Sequence, residues 1–435
     1  MKMRIGIRRE DKNEWEARTP LTPDDIDKLV RDGTEIWLQP SSIRVFPDQE
    51  YINAGAVINE DLSSCPVILA VKEIPLNFFE SGRTYLFFSH TIKGQEQNMP
   101  LLKKMMDLKC QLIDYELITD DKGRRLIFFG RHAGLAGMID TFWAFGKRLE
   151  WEGVSNPFSN IKMAHEYKSL EDAKSSIAEI ADKVKKDGIP PEITPMICGF
   201  AGYGNVSQGA QEIFDLFSHE KIAPSEIASV SASSTTAGEK LFKVVFKEED
   251  MVEPTDSAAA FDLQDYYTNP HKYRSRFENY LPFLTMLVNC IYWDPRYPRL
   301  ITLDYLKKAY SSSKRPTLRV IGDISCDIEG SIQCTMKVTD SGNPVYVYNP
   351  GNSKVTDGWE GNGPVIMAVD NLPCELPGES SELFSQMLTP FIPQLAQANF
   401  DVAFKDLKIP DELHRAVILY NGELTSKFKH LSKYL

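Results

Sequence analysis

Short apolar runs alternate with amphipathic segments through the first 130 residues, and this alternation restricts the fold more than any other feature. Runs at 4–7, 35–38, 67–71, 85–88 and 111–114 have strand length, while 22–32 and 94–108 carry the apolar period of helices. Thr22 is placed to cap the first helix, with Asp25 three residues on. Strands separated by helices pair in parallel, and a parallel sheet needs cover on both faces. The stretch therefore reads as one α/β domain.

Small residues at close spacing open the segment 130–146, which then continues with a helical apolar pattern. It predicts a long helix, packed tightly at its start, that crosses between domains. After a polar stretch to about residue 191, a second α/β region opens with a strand at 194–200 and a turn at 201–204. The stretches 225–240 and 311–316 are turn-rich and exposed by composition. No repeat of solenoid period is present. At about 150 residues per domain the 435-residue length suggests three domains, and two α/β domains of unequal size fit equally.

Composition narrows the function classes. Hydrophobic residues at 42% and charged residues at 25% are globular values that leave disordered and collagen-like chains behind. The net charge of −12 and the scattered bases argue against nucleic acid as a partner. The uncharged stretches 193–211 and 279–293 are broken by Gly, Pro or Asn and do not read as membrane spans. Seven cysteines, odd in number and singly placed, read as reduced thiols of a cytoplasmic protein, with neither a zinc set nor a redox pair. The N-terminus runs directly into the strand at 4–7, unlike a signal or transit peptide.

Two groups of residues carry the chemistry. Gly202, Gly204, Asn205, Val206 and Ser207 follow an apolar strand and open a helix at 206–216, the setting a dinucleotide fingerprint requires. Ser207 stands where a third glycine is usual, and a structural tight turn would use the same glycines. No acid stands clearly at a strand end near 222–226, where a ribose-binding acid is sought, and this tilts the reading toward NADP, with NAD as the alternative. In the first domain, Lys72 and His90 each follow a strand, at the C-terminal ends where open α/β sheets place their sites. They suit an acid/base pair; a surface lysine and a capping histidine is the plain alternative. Arg18, Lys93, Glu116, Arg124 and Arg125 recur at similar strand edges, the four bases as cations for an anionic substrate or all five as scattered solvated charges.

Longer motifs add a resemblance. They are Arg8-Arg9-Glu10-Asp11 with Glu16-Ala17-Arg18-Thr19-Pro20, Val71-Lys72-Glu73, Ser89-His90-Thr91-Ile92-Lys93, Ile113-Asp114-Tyr115-Glu116, Gly204-Asn205-Val206-Ser207, Asn289-Cys290-Ile291-Tyr292-Trp293, Asp323-Ile324-Ser325 and Asp370-Asn371-Leu372-Pro373. On these residues the chain resembles lysine-ketoglutarate reductase, the saccharopine-forming dehydrogenase found as the N-terminal half of bifunctional aminoadipic semialdehyde synthase. More distantly, Lys72, His90 and the segment 371–373 resemble alanine dehydrogenase and the nucleotide-binding part of transhydrogenase.

The resemblance implies an α/β fold of two Rossmann-like domains with parallel sheets and an interdomain cleft. Residues 1–135 with 371–435 would be the substrate domain and 136–370 the dinucleotide-binding domain. It implies NADPH-dependent reductive condensation of L-lysine with 2-oxoglutarate to L-saccharopine. Lys72 and His90 would move protons, with Glu116 adjusting their charge. Arg18 and Arg125 would hold the oxoglutarate carboxylates, and Lys93 would pair with Asp370 near the nicotinamide. Gly202, Gly204, Asn205, Val206, Ser207, Asp323, Asp370 and Leu372 would serve the cofactor. Because the chain ends at Leu435, the expectation is a monofunctional enzyme whose saccharopine is cleaved by another protein, with homo-oligomerisation left open. Two other readings stand beside it: an alanine-dehydrogenase-type enzyme, and a cofactor-binding paralogue without turnover.

Overall fold

The computed structural model describes residues 4–232, 240–312 and 315–435. The expected runs form the strands Arg4–Ile7, Glu35–Leu38, Val67–Leu69, Thr84–Phe87 and Gln111–Asp114, joined by a short strand Val57–Ile58. In space they run Val57–Ile58, Glu35–Leu38, Arg4–Ile7, Val67–Leu69, Thr84–Phe87, Gln111–Asp114, all parallel. This is the doubly wound order, with its switch point between Arg4–Ile7 and Val67–Leu69. The three strands from Val67–Leu69 onward are buried at every residue, as cover on both faces demands. Thr22 caps helix Pro23–Arg31 by accepting the Asp25 N–H. The helix expected over 94–108 is shorter: Gly94 takes φ +68° and Pro100 suits only a first turn, so a 3-10 turn Glu96–Asn98 precedes helix Met99–Asp107.

The far end of the chain completes this sheet. Val417–Tyr420 pairs antiparallel with Gln111–Asp114, and Glu423–Leu424 forms the edge. Helix Pro377–Leu388 anchors here too, with the Ser381 and Ser385 hydroxyls accepting the N–H groups of Thr19 and Thr22, both at 3.0 Å. The chain divides into two compact units, the described residues as far as Phe129 with Pro377–Leu435, and Gly130–Leu376. The divisions expected at 135/136 and 370/371 thus fall at 129/130 and 376/377. The reason lies in helix Gly130–Trp151, buried continuously from 134 to 146, which packs throughout within the second unit and does not cross between domains.

The second sheet runs His219–Lys221, Leu241–Phe246, Met196–Ala201, Met286–Asn289, Val320–Asp323, Val365–Met367 in parallel, then Val345–Asn349 and Lys354–Asp357 antiparallel. A separate hairpin pairs Val252–Pro254 with Tyr273–Ser275. The turn-rich stretches expected at 225–240 and 311–316 lie partly outside the described residues; the described part of the first forms a 3-10 turn, Pro224–Glu226, and a short helix, Ile227–Ala232. Among the described residues no helix is long and apolar enough to cross a membrane.

Candidate active site

Four strand ends of the first sheet bring the candidate groups to one edge. Glu10 follows Arg4–Ile7, Lys72 and Glu73 follow Val67–Leu69, His90 follows Thr84–Phe87, and Glu116 follows Gln111–Asp114. Glu10 bridges the switch point: Oε1 accepts the Val71 N–H at 2.7 Å and Oε2 the Lys72 N–H at 3.0 Å. Burial, with the negative charge of Glu16 adding to it, raises the Glu10 carboxyl to about 7 despite those bonds. The Lys72 amine is pulled below its ordinary value, first by burial and then by the positive charges of Arg18 and Lys12, with Glu73 and Glu16 opposing. A lysine so placed gains the neutral fraction that a general base needs.

His90 Nδ1 lies 2.6 Å from Glu73 Oε1, and Lys12 Nζ donates to Glu73 Oε2 at 3.0 Å. Burial pushes the Glu73 carboxyl up, but its bond to His90 and the charges of His90 and Lys12 outweigh this and hold it below the usual range. With Nδ1 donating to Glu73, Nε2 is the nitrogen left to exchange protons with a ligand. The backbone at His90 takes φ +49°, a left-handed conformation costing a non-glycine residue about 1–3 kcal/mol. Neighbouring bonds hold it there. The Ser89 N–H and hydroxyl donate to Asp114 Oδ2 at 3.0 and 2.5 Å, and Asn98 Nδ2 donates to the His90 carbonyl at 3.0 Å. Asp114 Oδ1 accepts the Glu116 N–H at 2.8 Å, so one buried carboxyl ties two strand ends together; burial raises it to about 6.

The cations differ in setting. Arg18 is buried and forked onto Glu16, Nε to Oε1 at 2.7 Å and Nη2 to Oε2 at 2.5 Å, with its guanidinium over the Phe129 ring. A substrate carboxylate using that edge would have to displace Glu16. Arg125 bonds to Glu116, so two predicted site residues meet, but Arg125 is 51% exposed against 16% for Glu116. Lys93 is exposed and makes no ion pair among the described residues. Glu10, Glu16, Glu73 and Asp114 received no role in the sequence reading, although all four lie in the quoted motifs. Glu73, directly after Lys72, and Glu16, two positions before Arg18, were the available signal; His90 has no acid beside it in sequence.

In the second unit, strand Met196–Ala201 leads into Gly202, whose φ of +94° a side chain would resist. No atom lies within 4 Å of where a Cβ on Gly204 would stand, and helix Asn205–Phe214 opens behind it without a side-chain cap. That open approach to leading helical N–H groups fits a pyrophosphate. Asn205 is exposed, Val206 half-buried, and Ser207 buried, its Oγ accepting from Gln211 Nε2 at 2.9 Å. The close packing that a third glycine would serve falls to Gly209 and Gly134. A Cβ on Gly209 would stand 2.1 Å from the Arg131 carbonyl oxygen, and one on Gly134 would stand 1.9 Å from that of Val206. Asp323 is buried at its strand end, accepting from Asn289 Nδ2 at 2.8 Å and Thr335 Oγ1 at 2.5 Å, and burial raises it to about 6. Asp370 is exposed, whereas the Leu372 side chain is buried against Gly137 in the core. Side-chain contact with a cofactor therefore suits Asp370 better than Asp323 or Leu372.

Comparison with known proteins draws both units together. Residues 6–136 match "Alanine dehydrogenase/PNT, N-terminal domain", and residues 295–427 match "Alanine dehydrogenase/PNT, C-terminal domain". The chain belongs to the alanine dehydrogenase/PNT family. Within it, the chain is 38% identical to the alpha-aminoadipic semialdehyde synthase of Arabidopsis thaliana over 99% of its own length and 41% of that protein's. It thus spans less than half of that relative. It is 27% identical to the saccharopine dehydrogenase [NAD(+), L-lysine-forming] of Yarrowia lipolytica over 91% of this chain and 93% of the other. A solved L-alanine dehydrogenase shares the fold with a TM-score of 0.62 at 17% identity, covering 99% of this chain and 98% of that one. The alanine dehydrogenase/PNT matches include Lys72, His90 and Asp323, while the glycine turn at 202–204 lies between them.

Proposed function

We propose that the chain is an NAD(P)H-dependent oxidoreductase that condenses L-lysine with 2-oxoglutarate and reduces the product to L-saccharopine. The first unit would carry the substrate groups and Gly130–Leu376 the dinucleotide groups. The carrying observation is the set Lys72, His90 and Glu73 at neighbouring parallel strand ends, with His90 Nδ1 held 2.6 Å from Glu73. Similarity to proteins named for saccharopine chemistry supports the choice of substrates.

The reaction asks for a neutral substrate amine, a proton for the carbonyl oxygen and a second proton for the departing water. Lys72, its charge disfavoured by burial, would take the proton from the lysine ε-ammonium. His90 would deliver protons from Nε2 while Glu73 stabilises the imidazolium. Arg18, Arg125 and Lys93 would bind the carboxylates, Glu116 orienting Arg125. The cofactor, when bound, supplies the hydride; Gly202, Gly204, Asn205, Val206 and Ser207 would hold its pyrophosphate, with Asp323, Asp370 and Leu372 nearby in the same unit. The seven free cysteines fit a reducing compartment, the cytoplasm in our reading.

The test is consumption of reduced nicotinamide by the purified chain, with lysine plus 2-oxoglutarate set against pyruvate plus ammonia. Faster turnover of the first pair is expected. Faster turnover of the second would replace this reading with an alanine-dehydrogenase-type reaction.

A further inference from the structure

Two carboxyls meet in the interior of the second unit. Asp140, at the middle of helix Gly130–Trp151, is fully buried, and Glu375, which ends the 3-10 turn Leu372–Glu375, is 2% exposed. The turn lies along the helix in register. Leu372 packs on Gly137, where a Cβ would stand 3.0 Å from its Cδ1, and three residues further along each segment Glu375 meets Asp140. A 3-10 turn repeats every three residues and an α-helix nearly so, which puts both contacts on one face.

Asp140 Oδ1 accepts the Ala164 N–H at 2.8 Å, but Asp140 Oδ2 and both Glu375 oxygens are buried without a well-placed donor among the described residues. The Ser341 hydroxyl beside Glu375 offsets little of its burial. His165 and Glu166, on the neighbouring 3-10 turn Ala164–Glu166, act on Asp140 in opposite senses. Two facing carboxyls buried to this degree cannot both stay ionised. One proton between them turns repulsion into an O–H···O bond. Glu375 is its holder, because burial and the negative charge of Asp140 push that carboxyl well above the ordinary carboxylate range.

We propose that this proton is a clip: Glu375 donates it to Asp140 Oδ2, fastens the segment 370–375 to the helix, and so positions Asp370 for the dinucleotide. The inference rests on reading Gly130–Leu376 as the dinucleotide unit. Asp370 is exposed, and its N–H reaches the Thr339 carbonyl only over a long 3.3 Å, so the buried end of the segment is what fixes it. As pH rises past neutrality the proton passes to solvent. Two carboxylates then face each other in the core, and the turn is pushed off the helix. Asp140 and Glu375 are positioning residues, acting on the cofactor through the segment they join.

Glu375→Gln supplies an amide N–H in place of the proton, and Asp140→Asn does the same from the other side while its carbonyl still accepts from Ala164. Neither bond titrates. NADH titrated calorimetrically into the full chain between about pH 6 and pH 10 should bind about tenfold or more weakly at the alkaline end in the parent. Both amide variants should hold the parent's neutral-pH affinity throughout, and Glu375→Ala, with no donor, should bind weakly at every pH. The carboxylic C=O stretch of the shared acid should appear in the infrared spectrum of the parent at neutral pH and be missing from that of Glu375→Gln. Amide variants with a pH profile as steep as the parent's, or an infrared spectrum unchanged by Glu375→Gln, would overturn the clip. Failure of every protein to bind NADH would overturn the dinucleotide reading and the positioning role with it, the infrared band still deciding the shared proton.

Discussion

Glu10 and Lys72 stand 62 positions apart in sequence and are joined across the switch point of the first sheet by a 3.0 Å bond from the Lys72 N–H to Glu10 Oε2. The second oxygen holds Val71 at 2.7 Å, so a single carboxyl secures the turn that presents the lysine amine. Glu10→Ala leaves two N–H groups without their partner, a loss on the order of 2–4 kcal/mol. Denaturant unfolding should show that loss. Steady-state kinetics should show a lowered kcat, because the amine is no longer held in place.

Stability should rise as the solution is acidified from about pH 8 toward pH 5. Glu10 is raised to about 7, and Asp114 and Asp323 to about 6, chiefly by burial. Burial also raises the facing carboxyls of Asp140 and Glu375. The folded state therefore holds these protons more tightly than the unfolded chain. Their stabilising effect is complete below the ordinary carboxylate range and is lost as pH rises through 6 to 7. Glu73 works in the opposite sense, but its window lies below its ordinary value of 4.5. Urea midpoints measured across this range should fall with rising pH, and Glu10→Gln should flatten the upper part of the slope. A level profile in the parent chain would contradict the raised carboxyls.

His90 and Glu73 should separate from substrate binding in kinetics. His90→Ala is expected to lower kcat by about 100-fold or more with KM for 2-oxoglutarate little changed. Glu73→Gln keeps a hydrogen-bonding group against Nδ1 but loses the charge that stabilises the imidazolium, and a fall in kcat of about 10-fold to 100-fold should follow. An unchanged kcat in both variants would remove the pair from the chemistry.

Arg125 tests the substrate assignment. As a carboxylate clamp it supplies a charge-assisted contact in a half-exposed position, and Arg125→Ala should reduce kcat/KM for 2-oxoglutarate by about 10-fold to 100-fold. Its bond to Glu116 contributes at most about 1 kcal/mol to stability, since Arg125 is 51% exposed and the pair is screened by solvent. Melting temperature should barely move. Unaltered kinetics would reduce the residue to a surface ion pair.

Gly209→Ala should destabilise the second unit. The new Cβ would stand 2.1 Å from the Arg131 carbonyl oxygen, a contact with backbone that no rotamer change relieves. A loss of about 3 kcal/mol is expected, read as a lowered unfolding midpoint. Ser207→Gly, by contrast, should leave the packing of the two helices intact and lose the side-chain bonds to Gln211 and Cys290.

Much of this protein is local and could be read from the chain alone. Strand length, helix period and the Thr22 cap depend on residues a few positions apart, and with them come the strand ends that carry Lys72 and His90. Which strands lie side by side is a different matter, because the period of a strand says which face is buried but not which neighbour it meets. Tertiary pairing alone set Leu241–Phe246 rather than His219–Lys221 beside the glycine turn and brought Val417–Tyr420 onto Gln111–Asp114. It also decided the partners of the charged groups. Glu10 received the N–H groups of Val71 and Lys72, and Glu73 received His90, because parallel strands distant in sequence end on one edge of a sheet. Even Arg18 and Glu16, two residues apart, became a buried pair only once the surrounding fold excluded water from both.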